Sequence, residues 1–127
     1  MDKDQQHTFP KTERLKSRKI IGELFSKGHV VKSYPIRIHF MFLQSEQFPI
    51  CQSGVSVPKR SFKKAVDRNR IKRQLREVHR LNSAVFLEQL RSSHKKIAFM
   101  IIYTGKEMPD YQSLTKNFIN ALEKIKL

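Results

Sequence analysis

From Tyr34 to Phe42 apolar and polar side chains alternate. Tyr34, Ile36, Ile38, Phe40 and Phe42 fall on one side, and Arg37, His39 and Met41 on the other. A period of two predicts a β-strand with one buried face and one mixed face. Upstream, Ile20, Ile21, Leu24 and Phe25 share one face of a helix, and Arg18, Lys19 and Lys27 lie mostly outside it. Ser17 suits that helix's N-cap and Gly28 its C-terminal stop. A short extended piece at residues 29–32 adds an edge strand. The polar loop Gln44-Ser45-Glu46-Gln47 leads to a second strand around residues 50–57. Gly54 within it marks a bulge or a close backbone approach.

Pro58 ends that strand. Apolar residues then recur at Ile71, Leu75, Val78 and Val85, the spacing of one long helix. Asn69, Arg73, Arg76 and Arg80 project from its opposite side, with Arg68, Arg70 and Lys72 on the flanks. Residues 97–103 are continuously apolar, as in a central strand covered on both faces. Thr104-Gly105 breaks the run. Asp110 caps a last helix whose Leu114, Phe118, Leu122 and Ile125 face the core. Residues 1–13 are polar and read as a flexible arm, docked by Phe9-Pro10. Residues 14–127 form one α+β domain in which helices pack on a mixed sheet.

Charge changes this picture from a fold to a binding surface. The chain of 127 residues carries 26 Lys+Arg against 11 Asp+Glu, a formal net charge of +15. Between positions 59 and 80 stand Lys59, Arg60, Lys63, Lys64, Arg68, Arg70, Lys72, Arg73, Arg76 and Arg80, against only Asp67 and Glu77. More than half of the net charge therefore sits on one element. A solvated helix face mixes its signs at a spacing of four, yet from Arg68 to Arg80 the only opposite charges four residues apart are Arg73 and Glu77. Arg68, Lys72, Arg76 and Arg80 form a like-charge row that destabilises an isolated helix. A polyanionic partner accounts for it, and nucleic acid leads that class. Arginine grips phosphate through paired hydrogen bonds and stacks on bases, while Asn69 suits a 2′-OH or a base edge. A lone short domain offers no dimeric half-site arrangement, which favours RNA over duplex DNA. Phe25, Tyr34 and Phe40 are either core or stacking platforms for unpaired bases.

Catalytic chemistry is harder to find. The acids and the five histidines are scattered. His39 reads as a partly buried structural residue, and His79 as a surface polar group or phosphate donor. No Gly-rich phosphate loop is present. Cys51, the single cysteine, reads as a small buried hydrophobe and rules out an internal disulfide or a Cys-based zinc site. The polar N-terminus and the lack of a long apolar stretch predict a cytoplasmic protein without a membrane partner.

Lys59-Arg60, the run Ala65-Val66-Asp67-Arg68-Asn69-Arg70-Ile71-Lys72-Arg73 and the pair Arg76-Glu77 resemble the signature of the bacterial ribonuclease P protein subunit. Phe9-Pro10-Lys11 before Arg14-Leu15-Lys16, Phe25 followed by Gly28, and Gly54-Val55-Ser56-Val57-Pro58 agree with it. The resemblance covers residues 9–125. It implies the order αβββαβα, similar to the second domain of ribosomal protein S5, with a left-handed βαβ crossover against the usual right-handed rule. It also implies that the RNA subunit hydrolyses with Mg²⁺, with no cofactor in the protein and no small-molecule substrate. The protein then binds that RNA and the 5′ leader of precursor tRNA. By position, Arg68, Asn69, Arg70, Lys72, Arg73 and Arg76 would contact the catalytic RNA, with Lys59 and Arg60 beside them. Ile21, Phe25, Tyr34, Arg37 and His39 would line the leader cleft. Two positions depart from the family pattern. Ile21 stands where many relatives carry an aromatic residue, and Ser61-Phe62-Lys63-Lys64 stands where many have a glycine and one residue fewer. The alternative from another class is a non-catalytic RNA-binding protein of ribosome assembly.

Overall fold

The computed structural model describes residues 14–44, 46 and 48–127. The predicted arm, with Phe9-Pro10, lies outside them. The elements in order are α1 (Arg18–Lys27), β1 (His29–Ser33), β2 (Ile36–Leu43), β3 (Cys51–Ser56), α2 (Ala65–Asn82), α3 (Ala84–Ser93), β4 (Lys96–Tyr103) and α4 (Tyr111–Glu123). The strands form one sheet in the order β1-β2-β4-β3. β1 and β4 pair antiparallel with β2, and β3 runs parallel to β4, its crossover passing through α2 and α3.

The alternation in β2 assigns the two faces. Ile36, Ile38 and Phe40 are buried beside Tyr103, Ile101 and Phe99 of β4. Ile71, Leu75 and Val78 of α2, Phe86 and Leu90 of α3, and Leu114 and Phe118 of α4 complete this core. On the other face, α1 sets Leu24 against Ala98 and Met100, with Leu15 closing the cluster. As predicted, β4 is buried from Ile97 to Tyr103, and Cys51 is buried.

The end signals act as read. Ser17 Oγ accepts from Ile20 N at 3.2 Å, and Asp110 Oδ2 accepts from Ser113 N at 3.1 Å, each satisfying an orphan helix donor. Gly28 donates its N–H to Leu24 O at 3.1 Å. A Cβ there would sit 2.4 Å from that same oxygen, so close approach demands the glycine. At Gly54 the ladder to β4 is unbroken, and the approach is by Met100, whose Sδ would lie 2.6 Å from a Cβ.

Three expectations are corrected. Tyr34 is not on the buried face of β2: it lies in the turn between β1 and β2 and is 72% exposed. The long helix stops at Asn82 and restarts at Ala84 about Ser83, so α2 and α3 together occupy the place of the single predicted helix. Val85 falls beyond this break and is exposed, while Phe86 and Leu90 take the core positions of α3.

Candidate nucleic-acid interface

The basic helix is positioned by the turn that precedes it. Ser61 N and Phe62 N both donate to Pro58 O at 3.3 Å. Phe62 enters the core with its ring centroid 5.9 Å from that of Tyr103. The Ser61–Lys64 stretch therefore anchors α2 through an aromatic plug. No side chain caps α2 at Lys64. Arg68 reaches back instead, donating from Nη1 to Phe62 O at 2.8 Å and to Lys63 O at 2.9 Å. It stands three residues before Ile71 and seven before Leu75, a spacing that puts it on the packed side of the helix. Arg68 thus fastens the turn with one nitrogen, leaving Nε and Nη2 for a ligand.

Asn69, Arg70, Arg73 and Arg76 are exposed on the outer side, and Lys72 is half-buried. Among the described residues the ion pairs are Arg80 with Glu77 and Arg91 with Glu88. Glu77 therefore serves Arg80 and not Arg73, and Arg80 is largely covered by that pairing. Arg70, Arg73 and Arg76 stay uncompensated. Burial, and then the charge of Arg14, hold the Arg76 guanidinium below the usual arginine range. Arg14 arrives because the chain before α1 runs beside β3: it forms a parallel bridge with Ser53, and Leu15 N donates to Ser53 O at 2.8 Å. Arg14, Lys16, Ile21 and Arg76 line one cavity of about 300 Å³. Hydrophobic periodicity carries no sign of this pairing. Lys59 and Arg60 are exposed in the turn just before α2.

His79 is not a surface donor. It is 5% exposed, its Nδ1 lies 2.5 Å from Ser83 Oγ, and its ring meets Phe99 and Phe118 edge-on. Burial pushes its pKa down to about 4. Its place four residues after Leu75 was the available signal, since that spacing repeats a packed position.

The second surface is the part of the sheet left open beside α1. Phe25 is 49% exposed, and its ring centroid lies 4.7 Å from that of His39. Burial, followed by the charges of Arg37 and Lys32, lowers the His39 pKa, so the ring is neutral at pH 7. His39 Nε2 and Arg37 Nε are buried without hydrogen-bond partners, as is Gln74 Oε1. Buried polar atoms are rarely left so unless a ligand or solvent completes them. The structure thus brings together Phe25, Arg37 and His39. Ile21 faces the Arg76 cavity, and Tyr34 lines a separate recess with Tyr103, Lys106 and Met108. Phe40 is core. Arg37 reaches a groove of about 500 Å³ that it shares with Arg60 and Lys106. Among the described residues, no group of three or more His, Cys, Asp or Glu side chains is arranged to hold a metal ion. No helix of the described residues is long and apolar enough to cross a membrane.

Known proteins resemble this chain in sequence and in fold. The family model "Ribonuclease P" matches residues 9–126. A ribonuclease P protein component from Porphyromonas gingivalis is 33% identical over 117 residues, covering 91% of this chain and 84% of that protein. One from Streptococcus agalactiae is 34% identical over 113 residues, covering 89% and 94%. In fold, the RNase P protein from Thermotoga maritima superposes with a TM-score of 0.69 at 22% identity, covering 90% of this chain and 98% of that one. The Staphylococcus aureus RNase P protein gives 0.64 at 20% identity, covering 87% and 93%. Similarity of this extent, across the basic helix and both flanking layers, places the chain in the ribonuclease P protein family.

Proposed function

We propose a division of labour between the two surfaces of this ribonuclease P family member. The chain is the RNA-binding subunit of ribonuclease P, and the ribonucleoprotein is the endoribonuclease. The outer side of α2 grips the RNA subunit through Asn69, Arg70, Lys72, Arg73 and Arg76, with Arg68 contributing the edge of its guanidinium. Lys59 and Arg60 extend that surface. The open sheet face around Phe25, Arg37 and His39 holds the 5′ leader of precursor tRNA. Mg²⁺ bound to the RNA supplies the hydrolytic chemistry.

The observation that carries this reading is the uncompensated charge of Arg70, Arg73 and Arg76, three exposed guanidinium groups on one helix that form no ion pair among the described residues. Such groups gain most from phosphate, where paired N–H donors meet two oxygens and condensed counterions are released. The sheet face suits a single strand for a different reason. It offers an exposed ring for stacking, a neutral imidazole and a guanidinium with an unused donor.

The test is reconstitution. The chain is mixed with the ribonuclease P RNA of its source organism and a precursor tRNA, with Mg²⁺ present. The RNA alone is expected to cleave poorly at low Mg²⁺ and the complex efficiently, whereas the protein alone leaves the precursor intact. Cleavage by the protein alone, or a complex no better than RNA alone, overturns the proposal. Selective recovery with ribosomal particles supports the assembly alternative instead.

A further inference from the structure

We propose that the trough between α3 and α4 is a docking groove for a cationic amphipathic helix of a protein partner. None of its lining residues belongs to either RNA surface. Two adjoining cavities of about 430 and 580 Å³ make up the trough, and Val85, Gln89, Leu122 and Glu123 line both. Val85 continues the apolar period of α2 but is 72% exposed, and Leu81 and Ile119 are exposed beside it. Apolar residues scattered singly on a surface need no explanation, whereas three lining one concavity mark an interaction site. α3 has 10 residues, so the trough runs for about 15 Å, nearly three turns of a docked helix. A helix seated between two others follows the usual packing of ridges into grooves.

Charge selects the occupant. Lysine and arginine outnumber acids 26 to 11 in the chain, yet the trough is lined by Glu88 and Glu123 against Lys126 alone. Glu88 pairs with Arg91. Glu123 is exposed and forms no ion pair among the described residues. It is the last residue of α4, whose final turn holds no cation. A carboxylate there meets the negative end of the helix dipole and destabilises the helix. Lys124 follows it, but its Nζ donates to Lys32 O on β1. A cation from outside therefore gains at Glu123 what the chain itself does not supply.

Other occupants fit less well. Phosphate is repelled by the two carboxylates, which argues against RNA. A second copy of the chain brings a net charge of +15 against the same charge. Residues 1–13 hold Phe9 but no Ala, Val, Ile or Leu, too few anchors for an apolar trough. What matches is a helix with apolar residues at i, i+4 and i+7 and a lysine or arginine on the flank that meets Glu123.

The probe is a fluorescent Leu/Lys amphipathic peptide of about three to four helical turns, titrated into the full chain at about 0.15 M salt. Its Leu/Glu counterpart is the comparison. The net charge of the chain favours the Leu/Glu peptide and the trough favours the Leu/Lys one, so the expected preference opposes bulk electrostatics. The Leu/Lys peptide is expected to bind more tightly. Val85→Ser is expected to weaken it by about tenfold, and Glu123→Gln by about two- to fivefold. Both side chains are exposed, so neither change endangers the fold. Cleavage of precursor by the reconstituted ribonucleoprotein is expected to be the same for both variants as for the wild type. Preference for the Leu/Glu peptide, or Leu/Lys binding that neither substitution alters, overturns the groove. Loss of cleavage in Val85→Ser assigns the trough to RNA and overturns it as well. In the source cells, the photocrosslinker benzoylphenylalanine at position 85 is expected to capture a protein segment of the stated pattern. Crosslinks confined to RNA, to a second copy of the chain or to residues 1–13 overturn the choice of occupant.

Discussion

Arg68 Nη1 donates to Phe62 O at 2.8 Å and, with its second hydrogen, to Lys63 O at 2.9 Å. The first arginine of the motif is therefore part of the turn that aims the helix. Arg70, two residues on, is exposed and makes no ion pair among the described residues. Arg68→Ala is expected to lower unfolding stability by about 1–3 kcal/mol, chiefly the cost of leaving the part-buried Phe62 carbonyl without its donor, and to weaken RNA binding as well. Arg70→Ala is expected to weaken binding with an unfolding free energy within about 0.5 kcal/mol of wild type. Urea unfolding and filter binding on both variants check this; equal destabilisation of the two contradicts it.

His79 supplies a pH dependence with a definite sign. Its folded pKa of about 4 lies below the ordinary imidazole value of 6.5 that holds in the unfolded chain, because burial disfavours the imidazolium. Between those values the unfolded chain binds more protons, so stability rises with pH. The contribution is complete above 6.5 and is lost as pH falls towards 4. Its full size is about 3 kcal/mol. Urea unfolding of wild type and His79→Leu from pH 7.5 to 4.5 isolates it as a difference. The wild type is expected to lose more stability on acidification than the variant, and parallel curves would contradict the assignment.

Phe25 offers an exposed ring beside His39. Stacking on an aromatic side chain contributes about 1–3 kcal/mol per base. Phe25→Ala is expected to weaken the ribonucleoprotein's affinity for precursor tRNA by about tenfold within that range, with affinity for mature tRNA unchanged. Titration with a fluorescent precursor checks this. Equal loss for both RNAs would place Phe25 in RNA-subunit assembly instead.

Salt tests α2 directly. If Arg68, Arg70, Lys72, Arg73 and Arg76 together neutralise roughly five phosphates, log affinity for the RNA subunit falls against log salt with a slope of about −3.5 to −4.5. Replacing Arg73 with Ala should make the slope shallower by about 1. A flat dependence contradicts the account of this helix.

What could be read from the chain and what could not have separate physical causes. The alternation Ile36-Arg37-Ile38-His39-Phe40, the apolar run of β4 and the caps Ser17 and Asp110 are local signals, and each produced the expected element. The break at Ser83 carries no Gly or Pro, and both flanking segments are helical by composition. The place of Tyr34 in a turn was signalled by Pro35, since the residue before proline is restricted, but the alternation on either side masked it. His79 and Arg68 read as surface because they stand among cations, although their spacing from Leu75 and Ile71 places both on the packed side. The approach of Arg14 to Arg76, and of Lys106 to Arg37 and Arg60, depends on tertiary juxtaposition and leaves no local trace.

On the proposed division of labour, this chain lets ribonuclease P distinguish a leader-bearing tRNA from a mature one. The most direct measurement is the dissociation constant of precursor and of mature tRNA for the RNA subunit, with and without the chain, at one fixed salt concentration. Adding the chain is expected to strengthen precursor binding well beyond mature tRNA binding, and shortening the leader to a single nucleotide is expected to remove the difference. Equal strengthening of both RNAs would contradict it, reducing the sheet face to part of the fold and leaving the basic helix as the only RNA-binding surface.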